Sequence, residues 1–256
     1  MDGIIVIDKP VGWTSHDVVA HVRKKLGLKK TGHLGTLDPQ ATGVLPLVVN
    51  GATRYARFFD AGDKGYQAVL KLGETTDTCD GAGKVLETRD TSAVTEARVR
   101  EVMAGFKGVI MQVPPMYSAI KKSGVPLYKL ARKGVVVERE PREVKVYSLD
   151  VLHVELPYVE FVLSCSKGTY VRTICFEAGE ALGCGGHLTA LRRITCSVFG
   201  IAEAIDPMVS AEGLAAGIIP LSLALSRLAQ GEEKKGFSCV VRDANIDNLG
   251  KGLEGL

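Results

Sequence analysis

The sequence has few aromatic residues, 6% with a single tryptophan, and no strong charge of either sign. Lys and Arg number 32 against 29 Asp and Glu, a formal net charge of +3, so net charge alone does not mark a nucleic-acid binder. No apolar run approaches the ~20 residues of a membrane span. The opening Met1-Asp2-Gly3 leads into an apolar run with no basic region before it, unlike a secretory signal peptide. The expectation is a cytoplasmic protein with no membrane partner. The six cysteines, Cys79, Cys165, Cys175, Cys184, Cys196 and Cys239, form no C-x-x-C pair and have no histidine at zinc spacing. They read as small buried hydrophobes in a reducing compartment, with no metal and no cofactor. Repeats and low-complexity tracts are absent, and 46% hydrophobic content excludes a disordered or collagen-like chain.

What is present suits a folded domain. A chain of 256 residues can bury roughly 70–75% of its unfolded surface, enough for one sizeable domain with an appendage. Basic residues come in pairs: Lys24-Lys25, Lys29-Lys30, Lys121-Lys122, Arg132-Lys133, Arg192-Arg193 and Lys234-Lys235. Each pair alone is ordinary solvated surface; together they leave room for a segregated basic face.

The pattern of apolar residues gives the elements. Ile4-Ile5-Val6-Ile7 reads as a short buried strand. Thr14 or Ser15 can cap a helix carrying Val18, Val19, Val22 and Leu26, with Gly27 at its end. Residues 31 to 43, rich in glycine, read as a loop feeding the strand-like run Val44 to Val49. Tyr66 to Leu72 alternates, with Tyr66, Ala68, Leu70 and Leu72 on one face. A helix follows Thr95. Residues 144–156 and 159–165 both alternate around Pro157-Tyr158, as an antiparallel hairpin would, with Val144, Val146, Leu152, Val154 and Leu156 inward on the first run. A helix runs from about Tyr170 to Leu182, and residues 207–228 read as two helical pieces around Pro220. Clustered strands with helices between them predict an α+β fold, a mixed, largely antiparallel sheet with flanking helices.

Residues 31–46 carry the chemistry. Asp38 sits in a Gly-rich loop before Pro39, and the proline pushes it away from helical geometry. Flanking glycines let a ligand approach the backbone closely. The residues alone leave two readings open: a carboxylate displayed on a shaped loop, or a simple Asp-Pro turn.

The run Gly32-His33-Leu34-Gly35-Thr36-Leu37-Asp38-Pro39-Gln40-Ala41-Thr42-Gly43-Val44-Leu45-Pro46 closely resembles the signature of the TruB family of pseudouridine synthases. Further motifs follow in the family's order. They are Ile7-Asp8-Lys9-Pro10-Val11-Gly12 with Thr14-Ser15; Tyr66 with Leu72-Gly73 and Thr76-Asp77-Thr78-Cys79-Asp80; Val113-Pro114-Pro115-Met116-Tyr117-Ser118-Ala119-Ile120-Lys121; and Ser166-Lys167-Gly168-Thr169-Tyr170-Val171-Arg172 with Leu191-Arg192-Arg193. The resemblance spans roughly residues 3 to 228. It implies the pseudouridine synthase fold and conversion of uridine-55 in the T-loop of tRNA to pseudouridine.

Each implied role makes chemical sense. Asp38 would be the nucleophile: a carboxylate is a competent partner for an electron-poor sugar carbon. Whether it attacks the sugar, attacks the uracil or forms a glycal stays open. Arg172 would pair with Asp38 through its planar fork, or be a surface residue on its helix. Tyr66 would stack on the target base and help remove the C5 proton, or be a core tyrosine on its strand. Leu191 would supply an apolar wall. His33 would stack in the space the flipped uridine leaves, or be a hydrogen-bonded loop histidine. Lys9 would support the site or contact phosphate. Lys121 and Arg132 lie in the region that grips tRNA in the family, and recognition would follow T-loop shape.

Two departures from the family stand out. Leu34 occupies a position where threonine is usual, which bears on local loop packing. Relatives usually end in a small β-rich PUA domain, whereas Phe237 to Ala244 with Leu249-Gly250-Lys251-Gly252 weakly resembles one edge of it. The division expected is a catalytic domain over 1–228 and a linker with a truncated PUA-like segment over 229–256. A guide-dependent synthase of the dyskerin type, which carries a full PUA domain and basic extensions, and an RNA-binding or RNA-folding module are the alternatives. The expectation is a stand-alone monomer that needs tRNA and no guide RNA.

Overall fold

The β-branched run Ile4-Ile5-Val6-Ile7 forms the centre of a buried strand, β1 (Gly3–Lys9). The structure is a computed structural model that describes residues 2–122 and 124–233. The assignment of residues 234–256 to a PUA-like remnant lies outside the described residues. Of those described, 2–67 and 190–233 form one compact unit and 68–189 another. The largest sheet has ten strands and is mostly antiparallel, an α+β architecture.

After β1 come α1 (Ser15–Lys25), β2 (Thr31–His33), β3 (Thr42–Val49), α2 (Ala56–Asp60) and β4 (Lys64–Leu72). Thr14 caps α1. Its hydroxyl accepts from Asp17 N–H at 3.1 Å, and its own N–H donates to Asp17 Oδ2 at 2.8 Å, a reciprocal capping box. Val18, Val19 and Val22 form the buried stripe of the helix. β1 pairs with β3 along its whole length, from Gly3 opposite Val49 to Lys9 opposite Gly43. The other edge of β3 is shared: Thr31, Gly32 and His33 of β2 lie opposite Val49, Val48 and Leu47. The stretch read as loop over 31–43 therefore opens with three strand residues, because β3 offers a free edge there. On β4 both faces are buried, so the one-sided pattern read from Tyr66 to Leu72 describes only half of its packing.

The second unit holds β5 (Glu74–Thr76), β6 (Val85–Thr88), α3 (Glu96–Ala104), β7 (Gly108–Gln112), β8 (Lys121–Lys122), β9 (Val125–Pro126), α4 (Leu127–Ala131), β10 (Arg142–Glu155), β11 (Tyr158–Cys165) and α5 (Val171–Ala181). Thr95 caps α3, and Val99 and Met103 are its fully buried residues. β10 and β11 form the expected antiparallel hairpin. Its register shifts between Val146 and Ser148 and again between Val151 and His153. The first shift reverses the inward phase and the second restores it. Leu149 is therefore buried and Leu152, expected inward, is exposed; Leu156, also expected inward, lies past the end of β10 and is exposed.

β12 (Gly186–Cys196) leads back to the first unit, followed by β13 (Phe199–Gly200), α6 (Ala211–Ala216), β14 (Ile219–Pro220) and α7 (Leu221–Glu233). Pro220 does separate two helices, but through a short strand: Ile219 and Pro220 pair with Ile4 and Gly3. α7 continues through Glu233, into the stretch read as charged linker. In this unit Ile4, Val6, Val44, Val48, Phe59 and Phe199 share one core cluster. Leu34 belongs to it as well, at 1% exposure, so the leucine at the threonine position packs inward.

Candidate active site

The loop between β2 and β3 carries Asp38, and side chains from three other elements fasten it. Ser15, buried at the start of α1, holds Leu37 at both ends of its backbone: Leu37 N–H donates to Ser15 Oγ at 2.9 Å, and the hydroxyl donates to Leu37 O at 3.1 Å. Beyond Asp38, the Pro39 carbonyl accepts from Lys9 Nζ at 3.1 Å and from Gly12 N–H at 2.8 Å. Asp38 O accepts from Ala41 N–H at 3.0 Å, closing a turn. The ends of the loop are bridged by Arg193, whose Nε donates to Val44 O at 2.7 Å and Nη2 to Gly35 O at 3.1 Å. Asp38 itself is half-buried.

Two cations sit beneath this loop. Lys9 has no exposed surface, and its ammonium also donates to Trp13 O at 2.6 Å and Pro10 O at 2.9 Å. Burial pushes its pKa down to about 8; the Asp38 and Asp17 charges oppose that fall and Arg193 adds to it. An ammonium buried on three carbonyls braces the turn around Pro39. Arg193 is also fully buried, which removes it from the basic face read from the Arg192-Arg193 pair. β12 runs parallel to β3 here, Arg193 opposite Gly43. A Cβ at position 43 would lie 2.2 Å from Arg193 O, and Gly43 has φ +97, so only glycine fits this crossing.

Arg192 faces the other way along β12. It grips Asp8 with both terminal nitrogens, at 3.0 and 2.7 Å. Its neighbour Leu191 is half-buried on the same strand. Tyr66 is 7% exposed on β4. His33 ends β2, with its ring edge-to-face on His16 at 6.2 Å. Burial, then the neighbouring His16 and Arg193, lower the His33 pKa, with Asp60 opposing. A neutral imidazole is the form that stacks without a desolvation penalty.

In the second unit, Arg172 lies in the first turn of α5 and is 5% exposed. Its Nη2 donates to Tyr117 O at 2.8 Å, and Nη1 lies 3.3 Å from both Thr78 O and Asp80 Oδ2. The Thr76–Asp80 motif is the turn that presents Asp80. Thr76 Oγ1 donates to Asp80 O at 2.7 Å, and Thr78 Oγ1 to Asp80 Oδ1 at 2.6 Å. Lys121 is exposed on β8. Arg132 is exposed after α4, with its guanidinium 5.5 Å from the centre of the Tyr128 ring. Sequence reasoning gave no role to Ser15, Asp80 or Arg193, although each stands at the end of a quoted motif.

The chain matches the family model described as TruB family pseudouridylate synthase (N terminal domain) over residues 23–171. It matches tRNA pseudouridylate synthase B C-terminal domain over 172–220. It is 50% identical over 245 residues to tRNA pseudouridine synthase B of Geobacter sulfurreducens, covering 91% of this chain and 81% of that protein. Against the protein of the same name from Opitutus terrae it is 51% identical over 205 residues, 80% of this chain and 85% of the other. A chain in the crystal structure of a Cbf5-Nop10-Gar1 complex superimposes with a TM-score of 0.68 at 32% identity, covering 88% of this chain and 62% of that one.

Proposed function

The chain belongs to the TruB family of pseudouridylate synthases, and we propose that it isomerises uridine-55 in the T-loop of tRNA to pseudouridine with Asp38 as nucleophile. The observation that carries this reading is the Asp38 loop. Its backbone is fastened at Gly35, Leu37, Pro39 and Val44, and Lys9 and Arg193 are buried beneath it. A reactive carboxylate on a loop gains most from being fixed before substrate arrives, since misplacement by about 1 Å can cost a hundredfold in rate.

The reaction breaks the C1′–N1 bond of uridine, turns the uracil, forms a C1′–C5 bond and removes the C5 proton. Asp38 attacks as the glycosidic bond weakens and is released again when the C1′–C5 bond forms, and the proton lost from C5 is balanced by one taken up at N1, so the reaction is a net isomerisation. Arg172 is the cation that keeps a carboxylate ionised in a site closed to water. Tyr66 lies against the uracil and assists loss of the C5 proton. Leu191 completes the apolar wall. A uridine inside a folded T-loop must be turned out first. Neutral His33 stacks in the vacated space, a contact worth about 1–3 kcal/mol. Lys121 and Arg132 meet phosphates of the T-stem and position the RNA without reading it.

The test is direct. The purified protein, with no guide RNA and no added metal, is incubated with an unmodified tRNA transcript beside an Asp38→Asn variant. Pseudouridine is then mapped by chemical modification and primer extension. Modification at uridine-55 that vanishes in the variant is the expected result. Salt-dependent tRNA binding without modification would instead favour a guide-dependent synthase or an RNA-folding module.

A further inference from the structure

Arg172 stands at the start of a helix whose first residue offers no side-chain cap. Tyr170 is in the N-cap position with extended backbone angles, and no side chain bonds to the N–H groups of the first turn in the way Thr14 serves α1. The start of α5 is fixed from outside. Gln112, the last residue of β7 and 1% exposed, turns its amide onto the Tyr170 peptide unit. Tyr170 N–H donates to Gln112 Oε1 at 2.7 Å, and Gln112 Nε2 donates to Tyr170 O at 3.1 Å. Gln112 is itself set by the sheet, opposite Arg142 of β10. Five residues further on, Tyr117 O accepts from the Arg172 guanidinium at 2.8 Å. One short segment thus holds both the backbone that launches Arg172 and one edge of its side chain.

We propose that Gln112 is a positioning residue for Arg172. The inference rests on the reading of Arg172 as the cation of the reaction. A carboxamide suits the task because it offers a donor and an acceptor side by side, matching the C=O and N–H of one residue. Buried, it has no water to compete with. Losing the donor half lets the first turn of α5 shift while the remaining acceptor bond and the hydrophobic face of the helix keep it folded. Gln112 is placed to set the geometry of Arg172, so its effect falls on the chemical step and not on RNA affinity.

The experiment uses the full-length protein in single-turnover assays on a tRNA transcript. Gln112→Glu keeps the shape and the acceptor but removes the donor; Gln112→Leu removes both. The expected result is a rate constant lowered about tenfold to a hundredfold, with tRNA Kd changed by less than about threefold; the Glu variant melts earlier, because its carboxylate is buried against the Tyr170 carbonyl, and the Leu variant is the uncharged control. In an Arg172→Lys background the same change should add less than about threefold, because coupled residues are not additive. An unchanged rate in either folded variant, a loss of Kd matching the loss of rate, or full additivity with Arg172→Lys would each overturn the proposal. An Arg172→Lys protein of full activity would overturn the reading of Arg172 first, and this inference with it.

Discussion

Lys9 is charged at neutral pH and yet fully buried, and the two facts together give it a measurable signature. Its ammonium has a pKa near 8 in the folded protein, against the ordinary value of 10.5. Between those values the unfolded chain holds more protons than the folded one. Stability therefore rises with pH through that window, by at most about 1.4 kcal/mol per unit, and is independent of this group below it. A Lys9→Met variant lacks the term, so the difference between the two proteins in urea unfolding at pH 8, 9 and 10 isolates it. Parallel curves would mean that Lys9 is not buried as an ammonium. The same variant leaves the Trp13 carbonyl without its 2.6 Å donor and weakens the hold on Pro39. It should lower kcat more than it raises KM, because Lys9 supports the loop and does not face the RNA.

At the scale of elements, the crossing of β3 and β12 is where the loop is most sensitive. Gly43→Ala forces a left-handed backbone on alanine, which costs roughly 1–3 kcal/mol by itself. It also drives a methyl group into Arg193 O at 2.2 Å. The backbone there has to separate, and Arg193 loses its grip on Val44 and Gly35. The variant should melt earlier and be catalytically impaired even where it is fully folded; wild-type activity in the folded variant would sink the clamp. This crossing was not legible in the sequence. Residues 186–196 mix His187, Thr189, Arg192, Arg193 and Thr195 with apolar residues, and a buried arginine defies the usual pattern. It is tolerated because two carbonyls receive it. By contrast β1, the cap of α1, the cap of α3 and the β10–β11 hairpin were readable, because each is dictated by residues within one turn or one strand. The phase of β10 was not, since a bulge leaves no local mark. The site divides in the same way. Pro39 and the glycines around Asp38 mark only a shaped loop, and it is the family motif spanning Gly32 to Pro46 that singles the aspartate out. Ser15, Arg193 and Gln112 hold their partners across 22, 149 and 58 positions of sequence, a distance no local pattern encodes.

For the whole molecule the balance of charge decides how RNA is held. A net charge of +3 gives little long-range attraction, so binding depends on where individual cations stand. The structure subtracts several from the list. Lys9 and Arg193 are buried, Arg172 is enclosed by Asp80 and two carbonyls, and Arg192 is paired with Asp8. Lys121 and Arg132 are exposed. Each phosphate that a side chain neutralises releases counterions, which makes log Kd linear in log salt with a slope that counts those contacts. Lys121→Ala and Arg132→Ala should therefore each reduce the slope of tRNA binding by about 1. Single-turnover rates at saturating RNA should stay unchanged. Filter binding between 50 and about 300 mM salt measures the slopes. If either variant weakens binding equally at every salt concentration, its side chain acts by packing, as the stacking of Arg132 on Tyr128 would allow, and the phosphate contact must be sought among the remaining exposed lysines of α1 and β8.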